Sequence, residues 1–166
     1  MKNLELKVNY PDFDKAKKVC KTINAKYSGV LNQADIFYNL KKGRLKLRNI
    51  NNKRFEIIYY SRSNSKTEKI SEYEIIRLRD ELPIKKLLKE YLGVRGIVKK
   101  KRELYLYENV RIHLDSIRGL GKFLEFEIVC KNSDELRSAP AKMKKLKELF
   151  NISGKDLISV SYIDMH

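Results

Sequence analysis

The chain has 166 residues, 42% of them hydrophobic and 35% charged, with 37 Lys and Arg against 21 Asp and Glu for a formal charge of +16. This suits one domain, residues 1–166, with a real core and excludes a disordered chain; no apolar run approaches the ~20 residues that span a bilayer, and Glu5 and Lys7 interrupt any leader, so neither a membrane segment nor a signal peptide is expected. The charge favours anionic partners (nucleotides, polyphosphates, RNA or anionic membrane surfaces) without choosing among them.

LELKV at 4–8 alternates apolar and charged residues and predicts a strand. After Pro11, Phe13, Ala16, Val19, Cys20 and Ile23 recur at helical spacing, and Asp12 suits the cap. Gly29 reads as a break, followed by a strand over 30–39. GRLKLRN at 43–49 and RFEIIYYSR at 54–62 read as a hairpin turned by Asn51-Asn52, and KISEYEIIRL at 69–78 as the next strand. Pro83 opens a short helix with Ile84, Leu87, Leu88 and Tyr91 on one face, ended by Gly93. VRGIVKKKRELYLYE turns at Glu108-Asn109 into VRIHLDSI, and Gly119 and Gly121 bracket the turn into KFLEFEIVC at 122–130. Residues 142–150 form an amphipathic helix, and KDLISVSYIDM is read as a short helix packing back on the body.

Eight strands with helices at the start, middle and end follow. Most are joined by turns too short for parallel crossovers, so the fold is mainly antiparallel β (α+β), an open or closed sheet with peripheral helices. Cys20 and Cys130 are isolated and lack metal-type spacing, which favours a reduced, cytoplasmic protein.

Strand parity sorts the charges. Glu5 and Lys7 share a face, as do Lys46 with Arg48, Arg54 with Glu56, Lys100 with Arg102, Arg111 with His113 and Asp115, and Glu125 with Glu127. On an open sheet these faces would meet water, and each pair would be an ordinary solvated one. In a closed barrel they would line the lumen. Cations there would grip phosphate oxygens, and carboxylates would hold Mg²⁺ or Mn²⁺. The spread of cations over many strands suits a chain of phosphates.

The segments NLELK, NQADIFYN, GRLKLRN, EIIYYSR, LGVRGIVKKKRELYLYENVRIHLDSIRGLGKFLEFE and SYIDM together resemble the CYTH superfamily, the triphosphate tunnel metalloenzymes. The likeness runs over nearly the whole chain and is nearest to class IV adenylate cyclases and related triphosphatases. It implies an eight-stranded closed β-barrel tunnel with peripheral helices. Glu5 and Lys7 then fall on the last two charged positions of the ExExK signature, while Asn3 replaces its first glutamate. The resemblance implies that Lys46, Arg48, Arg62, Lys100, Arg102 and Arg111 bind the triphosphate. Glu5, Asp115, Glu125 and Glu127 would bind Mg²⁺ or Mn²⁺, Lys7 would contact or activate the nucleophile, and His113 is a second catalytic candidate. Glu56 is expected in the tunnel, and Asp35 and Tyr105 at positions that shape the site.

The leading expectation is conversion of ATP to cyclic AMP and pyrophosphate. The alternative is hydrolysis of tripolyphosphate or an organic triphosphate such as thiamine triphosphate. A basic nucleic-acid-binding module is a further class, disfavoured because no RNP-type pattern, KH loop or zinc spacing is present. Tyr59 and Tyr107 are read first as core packing and second as the surface of a homodimer.

Overall fold

The computed structural model describes residues 2–62 and 68–165, with Arg62 described by its backbone alone. The elements run β1 (Lys2–Asn9), α1 (Phe13–Thr22), β2 (Lys26–Tyr38), β3 (Arg44–Ile50), β4 (Arg54–Arg62), β5 (Lys69–Leu78), α2 (Leu82–Leu92), β6 (Val94–Tyr107), β7 (Val110–Ile117), β8 (Gly121–Cys130) and α3 (Ser133–Leu149). Two 3₁₀ turns, Gly154–Asp156 and Tyr162–Asp164, follow.

All neighbouring strands are antiparallel, and the sheet closes on itself in the order β1-β5-β4-β3-β2-β6-β7-β8. The expected barrel is therefore present. Closure sets one face of every strand inward and gives each face its own solvent. On β1, β7 and β8 the outward side chains Leu4, Leu6, Val8, Ile112, Leu114, Leu124 and Phe126 form a core with α1 and α3. Phe13, Ala16 and Cys20 come from α1, and Ala139, Met143 and Leu146 from α3, with Phe150 just beyond. Each such fully buried large side chain stabilises by about 1.5–3 kcal/mol. Cys20 and Cys130 are both free and buried, and burial pushes the Cys20 thiol up to about 12.

Local signals explain most boundaries. Asp12 accepts a hydrogen bond from the Lys15 amide at 3.0 Å and caps α1. Asn51 and Asn52 adopt φ of 54° and 55°, left-handed conformations that asparagine tolerates and that suit the tight β3–β4 turn. Four expectations need correction. Gly29, at φ 106°, does not end the strand; it accommodates a bulge, and β2 begins at Lys26. The helix expected over 142–150 begins at Ser133. Asn132 caps it by accepting from the Glu135 amide at 2.9 Å, a start signal that apolar periodicity does not carry. The helix runs through Pro140 at the cost of one backbone donor.

The C-terminal segment is not an α-helix. Ser153–Asp156 and Ser161–Asp164 each form a capping box around one 3₁₀ turn, with extended chain between them. The helix opened at Pro83 is present as α2 and no residue of it is buried, with Leu87 and Tyr91 50% and 75% exposed. Tyr59 is likewise exposed, whereas Tyr107 packs partly against the core. Among the described residues no helix is long and apolar enough to cross a membrane.

Candidate active site in the barrel lumen

The period of two brings the inward side chains of all eight strands around a cavity of about 390 Å³. Lys7 comes from β1, Lys46 and Arg48 from β3, and Lys100 and Arg102 from β6. Glu5, Glu56, Glu125 and Glu127 supply carboxylates, and Asp35 faces the same space from β2. Asn3, Arg111 and His113 also line it. Most of the residues expected at the site are thus brought together.

The cations are tied to carboxylates in two groups. On one wall Asp35, only 2% exposed, accepts from Arg48 Nε at 2.7 Å and Nη2 at 2.8 Å, with Lys46 Nζ at 3.3 Å. Burial alone would raise the Asp35 carboxyl, but Arg48 and Lys46 hold it well below the usual range. On the other wall both oxygens of Asp115 accept from Arg102 at 2.6 Å. Arg102 Nη2 also donates to Glu125 Oε2 at 2.7 Å. The Asp115 carboxyl is held down at about 2 against the cost of burial, by Arg102 and then Lys100.

The lysines respond in the opposite direction. Burial, then the adjacent Arg102, lowers Lys100 to about 7, and burial with Arg48 lowers Lys46. Lys7 Nζ stands 3.7 Å from the centroid of the Tyr162 ring and 4.0 Å from Glu125 Oε1. These cations are crowded, and the crowding is relieved by adding negative charge to the lumen.

One group of described residues has metal-ligand spacing. His113, Glu125 and Glu127 each offer a donor atom, all within 4.8 Å of one another. His113 Nδ1 lies 3.6 Å from Glu125 Oε2 and 3.8 Å from Glu127 Oε1, and it is buried without a hydrogen-bond partner. Burial would raise both carboxyls. Lys7 and His113 bring Glu125 well below the usual range, and His113 leads the lowering of Glu127. Arg111 reaches Glu127 at 3.5 Å from the rim, with its side chain 44% exposed.

Several expected residues sit differently. Tyr105 points outward, packing on the core with its ring 5.1 Å from that of Tyr27; alternation from Lys100 and Arg102 sends it away from the lumen. Asp115 has the inward parity but lies behind Arg102, 0% exposed, with Tyr162 Oη donating to its Oδ2 at 3.0 Å. Asn3 is buried, and its Oδ1 accepts from Tyr73 Oη at 3.3 Å. Glu5 stands on β1 opposite Glu127 in register. Glu56 is 6% exposed, with Arg54 Nε at 3.3 Å. The side chain of Arg62 lies outside the described residues.

Sequence reasoning packed the C-terminal segment back on the body but missed that this strap lines the lumen. Ile158 N–H donates to the Lys7 carbonyl at 2.8 Å, and Ser161 and Tyr162 line the cavity. Asp164 anchors the strap to Arg44 at 2.7 Å and Arg95 at 2.6 Å, and Arg44 also donates to Ser161 Oγ. The two Ser-x-x-Asp boxes were the available signal. Gln33 was also missed: it is buried on the Asp35 face, and its Oε1 has no hydrogen-bond partner.

A profile of the CYTH domain matches residues 1–162. The chain belongs to the CYTH domain family. A Methanocaldococcus jannaschii protein named "putative adenylate cyclase" is 25% identical over 99% of this chain and 98% of its own length. Among solved structures, the PH1012 protein of Pyrococcus horikoshii OT3 superimposes with a TM-score of 0.87 at 24% identity, covering 98% of each chain. A Vibrio parahaemolyticus protein described by the same cyclase name gives 0.82 at 22% identity, covering 98% of this chain and 96% of that one. These structural likenesses concern the fold: the closed barrel of this CYTH protein is shared by both.

Proposed function

We propose that this CYTH protein is a divalent-metal-dependent enzyme that binds a triphosphate chain in its lumen and converts ATP to cyclic AMP and pyrophosphate. The observation that carries the reading is the gathering of Lys7, Lys46, Arg48, Lys100 and Arg102 around one enclosed lumen. Lys100 is buried beside Arg102, and Lys46, its side chain 13% exposed, lies beside Arg48. A phosphate chain supplies the missing negative charge and converts a costly cluster into a binding site. Asp35 and Asp115 then act as positioning residues that hold the two guanidinium groups in place. Lys7, at the strap end of the cluster, contacts the phosphates or the attacking hydroxyl.

The donor set fits a divalent cation, since Glu125 and Glu127 are held ionised and an orphaned imidazole nitrogen faces both. Glu5, across from Glu127, adds a carboxylate on the same side of the lumen. A cation held there supplies charge neutralisation to the phosphate oxygens. In the cyclase reaction the ribose 3′ oxygen attacks the α-phosphorus. The new P–O bond forms as the bond between the α-phosphorus and the bridging oxygen breaks, pyrophosphate leaves with that oxygen, and the hydroxyl proton passes to solvent water. The full-length likeness to the Methanocaldococcus protein supports ATP as substrate.

Hydrolysis of tripolyphosphate or an organic triphosphate is the second reading. One observation favours it: the Tyr162 ring in the lumen is covered by Lys7 at 3.7 Å, so that face is not free to stack on a base. Product analysis decides. The protein is incubated with ATP, tripolyphosphate or thiamine triphosphate, with Mg²⁺ or Mn²⁺ and an EDTA control. Cyclic AMP with pyrophosphate is the expected result. Orthophosphate without cyclic AMP moves the protein to the triphosphatases, and no product from any substrate overturns both readings.

A further inference from the structure

We propose that His113 is itself a metal ligand, completing a mixed nitrogen–oxygen site with Glu125 and Glu127 that favours Mn²⁺ over Mg²⁺. The inference rests on the lumen being a metal-dependent triphosphate site and adds both a ligand and a selectivity to it.

His113 is 3% exposed, and its Nδ1 has no hydrogen-bond partner although it faces two carboxylates. A buried, unpaired ring nitrogen is costly. Its separations of 3.6 and 3.8 Å from the two carboxylate oxygens exceed a hydrogen bond. Adjacent ligands around a small divalent cation, with bonds of about 2.1 Å, lie about 3 Å apart. The two His113–carboxylate separations therefore need to close by under ~1 Å, and no pair among the three donors, all within 4.8 Å of one another, by more than ~2 Å, for them to share one ion. The carboxylates' other partners leave His113 Nδ1 unserved: Arg102 holds Glu125 Oε2, and Arg111 reaches Glu127 from the exposed rim. The same geometry argues against His113 as general base, because its free nitrogen points at carboxylates and not along the phosphate-binding cations.

The selectivity follows from the imidazole. Mg²⁺ keeps its waters and prefers oxygen, whereas first-row transition ions accept imidazole nitrogen readily. A site of two carboxylates alone would leave Mg²⁺ competitive. Replacing one oxygen donor by nitrogen shifts the balance toward Mn²⁺.

The chain has only two histidines, and the other, His166, is its last residue. Nitrogen coordination can thus be assigned by two substitutions. Mn²⁺ is added to the full chain, with and without tripolyphosphate, and electron spin echo modulation from a directly bound ¹⁴N is recorded. The expected result is nitrogen coupling that survives His166→Ala and disappears in His113→Ala and His113→Gln. Mn²⁺ affinity falls about tenfold or more in both His113 variants. In the unsubstituted protein, Mg²⁺ displaces Mn²⁺ only at large excess.

Bound Mn²⁺ without ¹⁴N coupling, coupling retained without His113, no Mn²⁺ bound under either condition, or equal competition by Mg²⁺ overturns the proposal. If neither His113 variant folds, coupling in His166→Ala still decides. Turnover is a separate readout: ¹⁴N coupling without triphosphate turnover leaves this site standing and removes the enzymatic reading, and turnover without coupling does the reverse.

Discussion

Lys100 is the residue whose chemistry is most exposed to test. Burial and Arg102 lower it from 10.5 to about 7, so near pH 8 most molecules carry it neutral. A bound triphosphate favours the ammonium form and raises that value again. Binding of tripolyphosphate at pH 8 should therefore take up close to one proton, seen as a dependence of the calorimetric enthalpy on buffer ionisation. Lys100→Met should abolish most of that dependence; a buffer-independent enthalpy in the unsubstituted protein would place Lys100 outside the binding site. The linkage to stability has a definite sign. Between about pH 7 and 10.5 the unfolded chain holds the lysine proton that the folded chain has lost, so this group's contribution makes the ligand-free protein more stable as pH rises through that window.

Asp115 separates two roles that sequence reasoning merged. It was expected as a metal ligand, yet its oxygens are bound to Arg102 and Tyr162. Removing its charge leaves a buried guanidinium with only Glu125, so Asp115→Asn should destabilise the protein by about 3 kcal/mol in urea unfolding. The same variant should bind Mn²⁺ with affinity close to the unsubstituted chain. A loss of Mn²⁺ binding comparable to that of Glu125→Gln would restore Asp115 to the metal site.

Among the elements, the strands were the most legible and the C-terminal strap the least. Alternation is a property of the local chain, and it sorted Lys46, Arg48, Lys100 and Arg102 correctly before any partner was known. Continued along β6 it also places Tyr105 outside, against the role that family resemblance gave it. The strap has no such period. Its position depends on two short capping boxes and on Asp164 reaching Arg44 and Arg95, residues from strands far away in sequence. Asp164→Asn should weaken both ion pairs and loosen the segment. Hydrogen exchange at the Ile158 amide, which donates to the Lys7 carbonyl, should then accelerate while amides of β7 and β8 remain protected. Equal protection in the variant would mean that packing of Tyr162 and Ile163 holds the strap without the latch. The long start of α3 was hidden for a related reason: Asn132 caps it, but the first two turns carry few apolar residues.

At the scale of the molecule, the chain carries +16, and it is the closure of the sheet that gathers part of that charge around a lumen. An open sheet with the same strands would leave Lys46 and Arg48 in water, where such pairs contribute little. Inside the barrel the same residues are desolvated, which strengthens each interaction and shifts the lysines. The sequence by itself determined the number of strands, the direction of those joined by short turns and which of their charges share a face, because those follow from a repeat of two residues and from the length of the turns. Only the tertiary structure decided which charges meet: Arg102 with Asp115 and Glu125, Arg48 with Asp35, and His113 with the two glutamates of β8. Pairing depends on register and closure between strands distant in the chain, and no local pattern encodes the distance across a lumen.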